Sequence, residues 1–403
     1  MTPRMLGLVA DDLTGATDAA VPFAAAGWSA HLLRSSTAAP SPAGDRPCLL
    51  AVATGVRAAA DDRATAVTAA AVGELLARGC DRLYLKVDST MRGSVAAQIR
   101  GALGAWAQAY PGAVVVVCPA FPEQGRTVVG GRVLVRGIPL EHTAAAQDPV
   151  TPVTTSLLSD LVAGLPASEA GSDADLARGL VALDADLLRG LSAPEADLLR
   201  GLSAPEADLL RGLSAPDAGS DADLDEIAAT LDRHGPGAVA AGSAGLASAL
   251  ARRWPAAKPA PDRQRPSTCI LVGVSSLHPV ALSALARLRD ARPTVDVITT
   301  PAARADAATT AAGFGEQVAH QLKQARYDTV VLVGGDGAAA ALDHVDAGAI
   351  TVHRALAPGV PLGTICGGAA HGVRVVTTSG GFGSADSLVD IVDRLGTTGG
   401  NTR

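Results

Sequence analysis

The chain has 403 residues, 48% of them hydrophobic but only 2% aromatic, and a formal charge of −7. That length holds two or three domains, each with its own core. The acidic balance and the scarcity of stacking platforms exclude a dedicated nucleic-acid binder, and no apolar run approaches the ~20 residues that span a bilayer.

The first strand sets the pattern. Leu6–Ala10 reads as a buried parallel strand that ends in Asp11 and Asp12, followed by Gly15 and a small-residue helix, Ala16–Ala26. In open α/β sheets ligands bind outside the carboxyl ends of the strands. Adjacent strand residues point to opposite faces, so one carboxylate is expected toward a ligand and the other toward the loop. A helix N-cap accounts for the same residues. Trp28–Leu33 and Cys48–Ala53 read as further strands around a Pro- and Ser-rich loop, Thr37–Pro47. Asp61–Arg78 has helical periodicity, with Gly79 as its stop. The strand from Arg82 runs into Lys86, Asp88, Ser89 and Arg92. Ala96–Tyr110 is a helix and Ala113–Val117 a strand, which completes a strand–helix alternation typical of a parallel sheet.

Gly125–Val135 breaks that alternation and reads as a hairpin turning at Gly130-Gly131; Leu140–Thr155 is polar and irregular. Between Ser168 and Asp225 an eleven-residue unit recurs, starting at Asp186, Asp197 and Asp208. Gly and Pro in every copy oppose a continuous helix or a solenoid, so a tandem duplication inserted near residues 186–217 is expected, with only the last copy leading into a helix, Asp223–His234. A short strand, Gly235–Ala240, and a helix to Trp254 close the first domain, residues 1–254. A Pro/Ala-rich linker follows at 255–266. A second α/β domain, 267–397, has strands at Cys269–Gly273, Val295–Thr299, Thr329–Val333 and Val373–Thr377. Helices are expected after Pro279 and at Phe314–Ala325 and Ala385–Leu395.

Five cysteines without a C-x-x-C pair read as reduced core thiols. Eight histidines without H-x-x-x-H or H-E-x-x-H spacing give no expectation of a protein-held metal. Met5–Ala10 is too short for a signal-peptide core, and a soluble, cytoplasmic protein is expected.

Two sets of residues carry the chemistry. Lys86 and Asp88 are two apart at a strand end and share a face, with Ser89 beside them; Arg92 reaches the same region with a fork suited to a carboxylate. That cluster suits a polar small molecule, or else forms internal salt bridges. In the second domain, three turns place Gly or Ser between a buried strand and a helix: Ser275-Ser276, Gly334-Gly335-Asp336-Gly337, and Gly380-Gly381. Unpaired amides and the helix dipole at such turns suit phosphate. None has Walker spacing, and none carries a dinucleotide fingerprint, which counts against a dinucleotide site.

Taken in order, ADDLTGATD (Ala10–Asp18), LKVDSTMRG (Leu85–Gly93), CPAFPEQGRTVVGGRVLVRGIPL (Cys118–Leu140), GSAGLASALA (Gly242–Ala251), GGDG (Gly334–Gly337), PGVPLG (Pro358–Gly363) and SGGFG (Ser379–Gly383) resemble the four-carbon acid sugar kinase family. The resemblance implies two α/β domains, each a mostly parallel sheet flanked by helices, with the active site in the cleft between them: a sugar-acid-binding N-terminal domain and an ATP-binding C-terminal one. It implies phosphorylation of the terminal hydroxyl of threonate, erythronate or an oxo-tetronate, with ATP and Mg²⁺, and leaves the oligomeric state open, a homodimer included. On these residues Asp12 is the expected base, with Asp88 the second candidate. Asp11, Arg57, Lys86, Ser89 and Arg92 would bind substrate. Ser275, Ser276, Gly334, Gly335, Asp336, Gly337, Gly380 and Gly381 would bind nucleotide. Four positions depart from the family pattern: Val56 in place of a serine, Val274 in the Gly273–Ser276 turn, Gly337 in place of a threonine, and Thr378 in place of a lysine. These departures admit an alternative, a catalytically impaired relative that binds sugar acid or nucleotide.

Overall fold

A computed structural model describes residues 3–34, 46–148, 150–163, 213–256, 266–300, 307–324, 327–381 and 383–396. The chain divides into two compact units, Met1–Asp11 with Thr54–Pro255, and Asp12–Ala53 with Ala256–Arg403. The peptide bond between Asp11 and Asp12 therefore joins one unit to the other. No helix among the described residues is long and apolar enough to cross a membrane.

In the first unit, runs such as Val114–Cys118 have no polar face to turn to water, and both sides are buried. Its strands β1 (Met5–Ala10), β4 (Arg82–Lys86), β10 (Ala238–Gly242), β5 (Val114–Cys118) and β9 (Leu213–Ser214) lie in that order, all parallel. Helices α2 (Asp61–Ala77), α3 (Val95–Trp106), α5 (Asp221–His234) and α6 (Ala244–Arg253) flank them, with a single turn, α4 (Leu158–Leu161), nearby in sequence. The register pairs Lys86 with both Ala10 and Gly242. The carboxyl ends of β1, β4 and β10 are thus level, and the residues that follow them are brought together.

The expected hairpin is present as β6 (Arg126–Val129) and β7 (Arg132–Val135), with β8 (Ile138–Pro139) added as a third antiparallel strand. Both turn glycines have positive φ, 58° at Gly130 and 69° at Gly131, the geometry that matches strand twist across a two-residue loop. Their amides donate to the Asp217 carboxylate at 2.6 and 2.8 Å. Asp217 belongs to the last eleven-residue copy, whose Leu213-Ser214 also forms β9. The two preceding copies lie outside the described residues. Helix α5 starts at Asp221, two residues before the expected point, because Ser220 and Asp223 form a capping box.

In the second unit the strand order is β12 (Asp296–Thr299), β11 (Ile270–Val274), β13 (Thr329–Val333), β16 (Arg374–Thr378), β15 (Val360–Cys366), β14 (Ala349–Ala357), β2 (Ser29–Leu33) and β3 (Cys48–Ala53). The first four are parallel, β15 and β14 run antiparallel, and β2 and β3 pair in parallel. Helices α1 (Leu13–Ala25), α7 (Pro279–Ala291), α8 (Ala307–Lys323), α9 (Gly335–His344) and α10 (Ser387–Gly396) complete it. Val272, Leu288, Val331, Leu362, Val376, Ile391 and Leu395 share one core. Two features go beyond the sequence reading. Helix α8 begins well before Phe314, in an Ala/Thr stretch without apolar periodicity. The β14–β15 hairpin turns at Pro358-Gly359, and its bulges blur the alternation that would otherwise announce it.

The units also cut the chain differently from a division at residues 255–266. Asp12–Ala53 belongs with the C-terminal segment, because β2 pairs with β14 and α1 packs on β14, β15 and β3. Much of the linker range, 257–265, lies outside the described residues.

Candidate active site

In the first unit the residues after β1 and β4 form one charged cluster. Asp11, 1% exposed, accepts from Arg57 through both oxygens, Nε at 2.7 Å and Nη2 at 2.8 Å. Arg57 Nη2 also lies 3.9 Å from Asp88. Arg92 donates Nη2 and Nε to the two Asp88 oxygens at 2.9 and 3.0 Å, and Nη1 to Asp148 at 3.0 Å. Thr90 donates its amide and hydroxyl to the same Asp88 carboxylate. Lys86 is buried, with Nζ donating to the Val87 carbonyl at 2.8 Å, and Ser89 sits half-buried on the turn. Burial raises the Asp88 pKa, but Arg57, the bonds and charge of Arg92, and Lys86 outweigh it and hold the carboxyl well below the usual carboxylate range.

Asp12 takes the other course. It caps α1, with Oδ1 accepting from the Gly15 amide at 2.6 Å and Oδ2 from the Thr14 hydroxyl at 3.1 Å. A Cβ placed on Gly335 would lie 4.0 Å from both Asp12 Oδ2 and Thr14 Oγ1. The alternation along the strand end thus separates the two carboxylates: Asp11 is consumed by Arg57, and Asp12 stands beside a glycine turn.

The three expected turns meet in the second unit because β11, β13 and β16 are parallel neighbours in register, Val274 with Val333 and Val333 with Thr378. Ser275 donates its amide and hydroxyl to the Val333 carbonyl at 2.9 and 3.0 Å, and Gly334 donates to Thr378 at 2.9 Å. Helix α9 starts from Gly334 with no side chain capping it, so the first amides of Gly335, Asp336 and Gly337 carry the unsatisfied donors of a ten-residue helix. The turns touch closely. A Cβ on Gly380 would lie 1.9 Å from Ser276 Oγ, and one on Gly337 would lie 2.3 Å from Ser275 Oγ. Gly381 lies beside the His278 ring.

Two of the departures have a packing reason. Val56, 2% exposed, packs in a small core with Ala64 and Ala97, while Arg57 next to it still reaches the cluster. At residue 337 the Ser275 side chain fills the space a threonine would need, so a hydroxyl is kept at the junction from the neighbouring turn. Nothing in the structure explains Thr378. Sequence reasoning missed Thr90 and Asp148, which bond to Asp88 and Arg92. Asp148 precedes a proline, a turn signal that was readable. Among the described residues no group of three His, Cys, Asp or Glu could hold a metal ion.

A family model for a sugar-binding N-terminal domain matches residues 6–250, and one for a nucleotide-binding C-terminal domain matches residues 222–388. The D-threonate kinase of Bordetella bronchiseptica is 37% identical over 95% of this chain and 96% of its own length. The chain belongs to the four-carbon acid sugar kinase family. A second family member, the D-threonate kinase of Salmonella typhimurium, is 28% identical over 95% of this chain and 96% of its own. A solved Salmonella typhimurium protein matches the family fold with a TM-score of 0.71 at 20% identity, covering 96% of this chain and 98% of that one.

Proposed function

We propose that this chain is an ATP-dependent kinase that phosphorylates the terminal hydroxyl of a four-carbon sugar acid, and that D-threonate is its preferred substrate. The observation that carries the reading is the near full-length similarity to two D-threonate kinases. Phosphoryl transfer asks for positioning and charge neutralisation more than for covalent protein chemistry, and both units offer that.

The nucleotide phosphates would take the amides of Gly335–Gly337 and Gly380–Gly381, with Ser275 and Ser276 lining the same junction. Mg²⁺, if it arrives with ATP, would supply charge neutralisation, held mostly by the phosphates and water. The cations around Asp88 would hold the sugar acid. As the terminal oxygen of the substrate bonds to the γ-phosphorus, the bond from phosphorus to the ADP oxygen breaks, and the hydroxyl proton passes to the Asp12 carboxylate. Asp88 is less suited to that task. The cations around it, Arg57, Arg92 and Lys86, hold its pKa low and make it a poor proton acceptor, so it orders Arg57 and Arg92 instead.

The test is ADP release with D-threonate, D-erythronate and a 3-oxo-tetronate, in wild type and in Asp12→Asn. Asparagine caps a helix as well as aspartate, so the variant keeps its melting temperature while kcat falls ~10²–10⁴-fold. A variant with unchanged kcat removes Asp12 from the base role. A wild-type protein that releases ADP with none of the acids removes the kinase reading.

A further inference from the structure

Arg126 opens β6 at the edge of the charged cluster, and its placement is fixed by the backbone. Phe121 N donates to the Arg126 carbonyl at 2.8 Å, and Arg126 N donates to the Phe121 carbonyl at 3.0 Å. Phe121 in turn packs on Gly245 at the start of α6. The guanidinium donates Nη1 to the Gln124 carbonyl, but its Nε is buried and has no hydrogen-bond partner. A buried, unmet donor on a charged group costs more than a neutral one. Burial pushes the Arg126 pKa down, Asp88 pulls against this, and Arg136 and Arg92 add to the fall. The unmet Nε donor and the neighbouring cations both favour an anionic group against this guanidinium.

The neighbouring arginines do not have the same donor to offer. Arg92 spends Nε, Nη1 and Nη2 on Asp88 and Asp148, and Arg57 spends Nε and Nη2 on Asp11. Arg57, Lys86, Arg92, Arg126 and Arg136 stand against Asp11, Asp88 and Asp148, so positive charge is in excess around Arg126. A carboxylate brought in by the substrate would offset part of that excess.

We propose that Arg126 is a further substrate-binding residue, whose guanidinium takes the carboxylate of the sugar acid. The assignment rests on the kinase reading above. It also gives the β6–β8 arm, held by Asp217 at its Gly130-Gly131 turn, a function: the arm carries a substrate cation on its first residue.

The experiment compares full-length wild type, Arg126→Gln and Arg126→Lys for the KM of D-threonate, the KM of ATP, kcat and melting temperature. Losing a charge-assisted bond to a carboxylate should raise the D-threonate KM at least ~10-fold in Arg126→Gln, with a smaller rise in Arg126→Lys. The ATP KM and the melting temperature should hold. A folded Arg126→Gln with an unchanged D-threonate KM overturns the assignment, and so does a parallel rise in both KM values, which is what a purely structural arginine would give. If wild type transfers phosphate to no sugar acid, the kinase reading falls and the assignment with it. An active wild type beside an unaffected Arg126→Gln sinks the assignment alone.

Discussion

His31 illustrates how burial sets the protonation of a single side chain. Its ring is 6% exposed on β2, with Nε2 2.7 Å from Ser29 Oγ and Nδ1 3.2 Å from Thr351 Oγ1. Burial, with the His353 and Arg46 charges, pushes its pKa down to about 4. The folded protein holds the neutral ring, whereas the unfolded chain takes up a proton near the ordinary value of about 6.5. Between those values the unfolded state binds more protons, so stability is full above about pH 6.5, falls as pH drops toward 4, and levels off below. The loss should amount to about 3 kcal/mol over that window. Urea denaturation of wild type and His31→Asn at pH 7, 5.5 and 4.5 checks this: the wild-type curve should fall more steeply, and equal slopes would contradict it. Asp11 and Asp12 make the complementary point. They are chemically identical and adjacent in the chain, yet one is fully occupied by Arg57 and the other caps a helix beside Gly335.

At the scale of elements, the nucleotide junction depends on how closely three parallel strands bring their turns together. The glycines there act through space: Gly380 leaves 1.9 Å between a would-be Cβ and Ser276 Oγ, and 2.4 Å to Ser276 Cβ. Gly381, one residue on, meets only His278 ring atoms at 3.5 Å or more. Gly380→Ala must therefore push the β11 turn away from the β16 turn, at about 1–3 kcal/mol. It should lower the melting temperature and raise the KM for ATP, while Gly381→Ala leaves the melting temperature unchanged. Equal melting temperatures for the two variants would show that the junction is looser than these distances. The turns were legible in the sequence because each is local, a buried run followed by Gly or Ser. The β14–β15 hairpin was not, because its bulges at Val352/Arg354 and Ala355/Ala357 interrupt the period of two.

For the whole molecule, the repeated segment and the unit division matter most. The last copy is tied in through β9 and through the Asp217 clasp on Gly130 and Gly131. The copies at 186 and 197 repeat its sequence with Glu195 and Glu206 at the Asp217 position. Deleting residues 186–207, two full periods, rejoins the chain in the same local sequence and keeps the Asp217 copy. The shortened protein should retain its melting temperature and kcat. A fall of several degrees, equivalent to about 1 kcal/mol or more, would show that the extra copies contribute to the fold.

What lies within a short window could be read from the order of residues: buried runs, helix caps, the Gly130-Gly131 hairpin, the acidic and glycine-rich strand ends, and the motif order that marks the family. Periodicity and turn chemistry are properties of neighbouring residues, and they can be read without knowing the rest of the chain. Which strand ends are level, and that His31 sits against Thr351, 320 positions away, emerge from the folded arrangement alone. It alone drew Asp12–Ala53 into the unit of the C-terminal segment, filled the Asp88 oxygens and left a buried nitrogen of Arg126 without a partner. Those outcomes depend on register, burial and charge between segments far apart in the chain, where no local pattern constrains them.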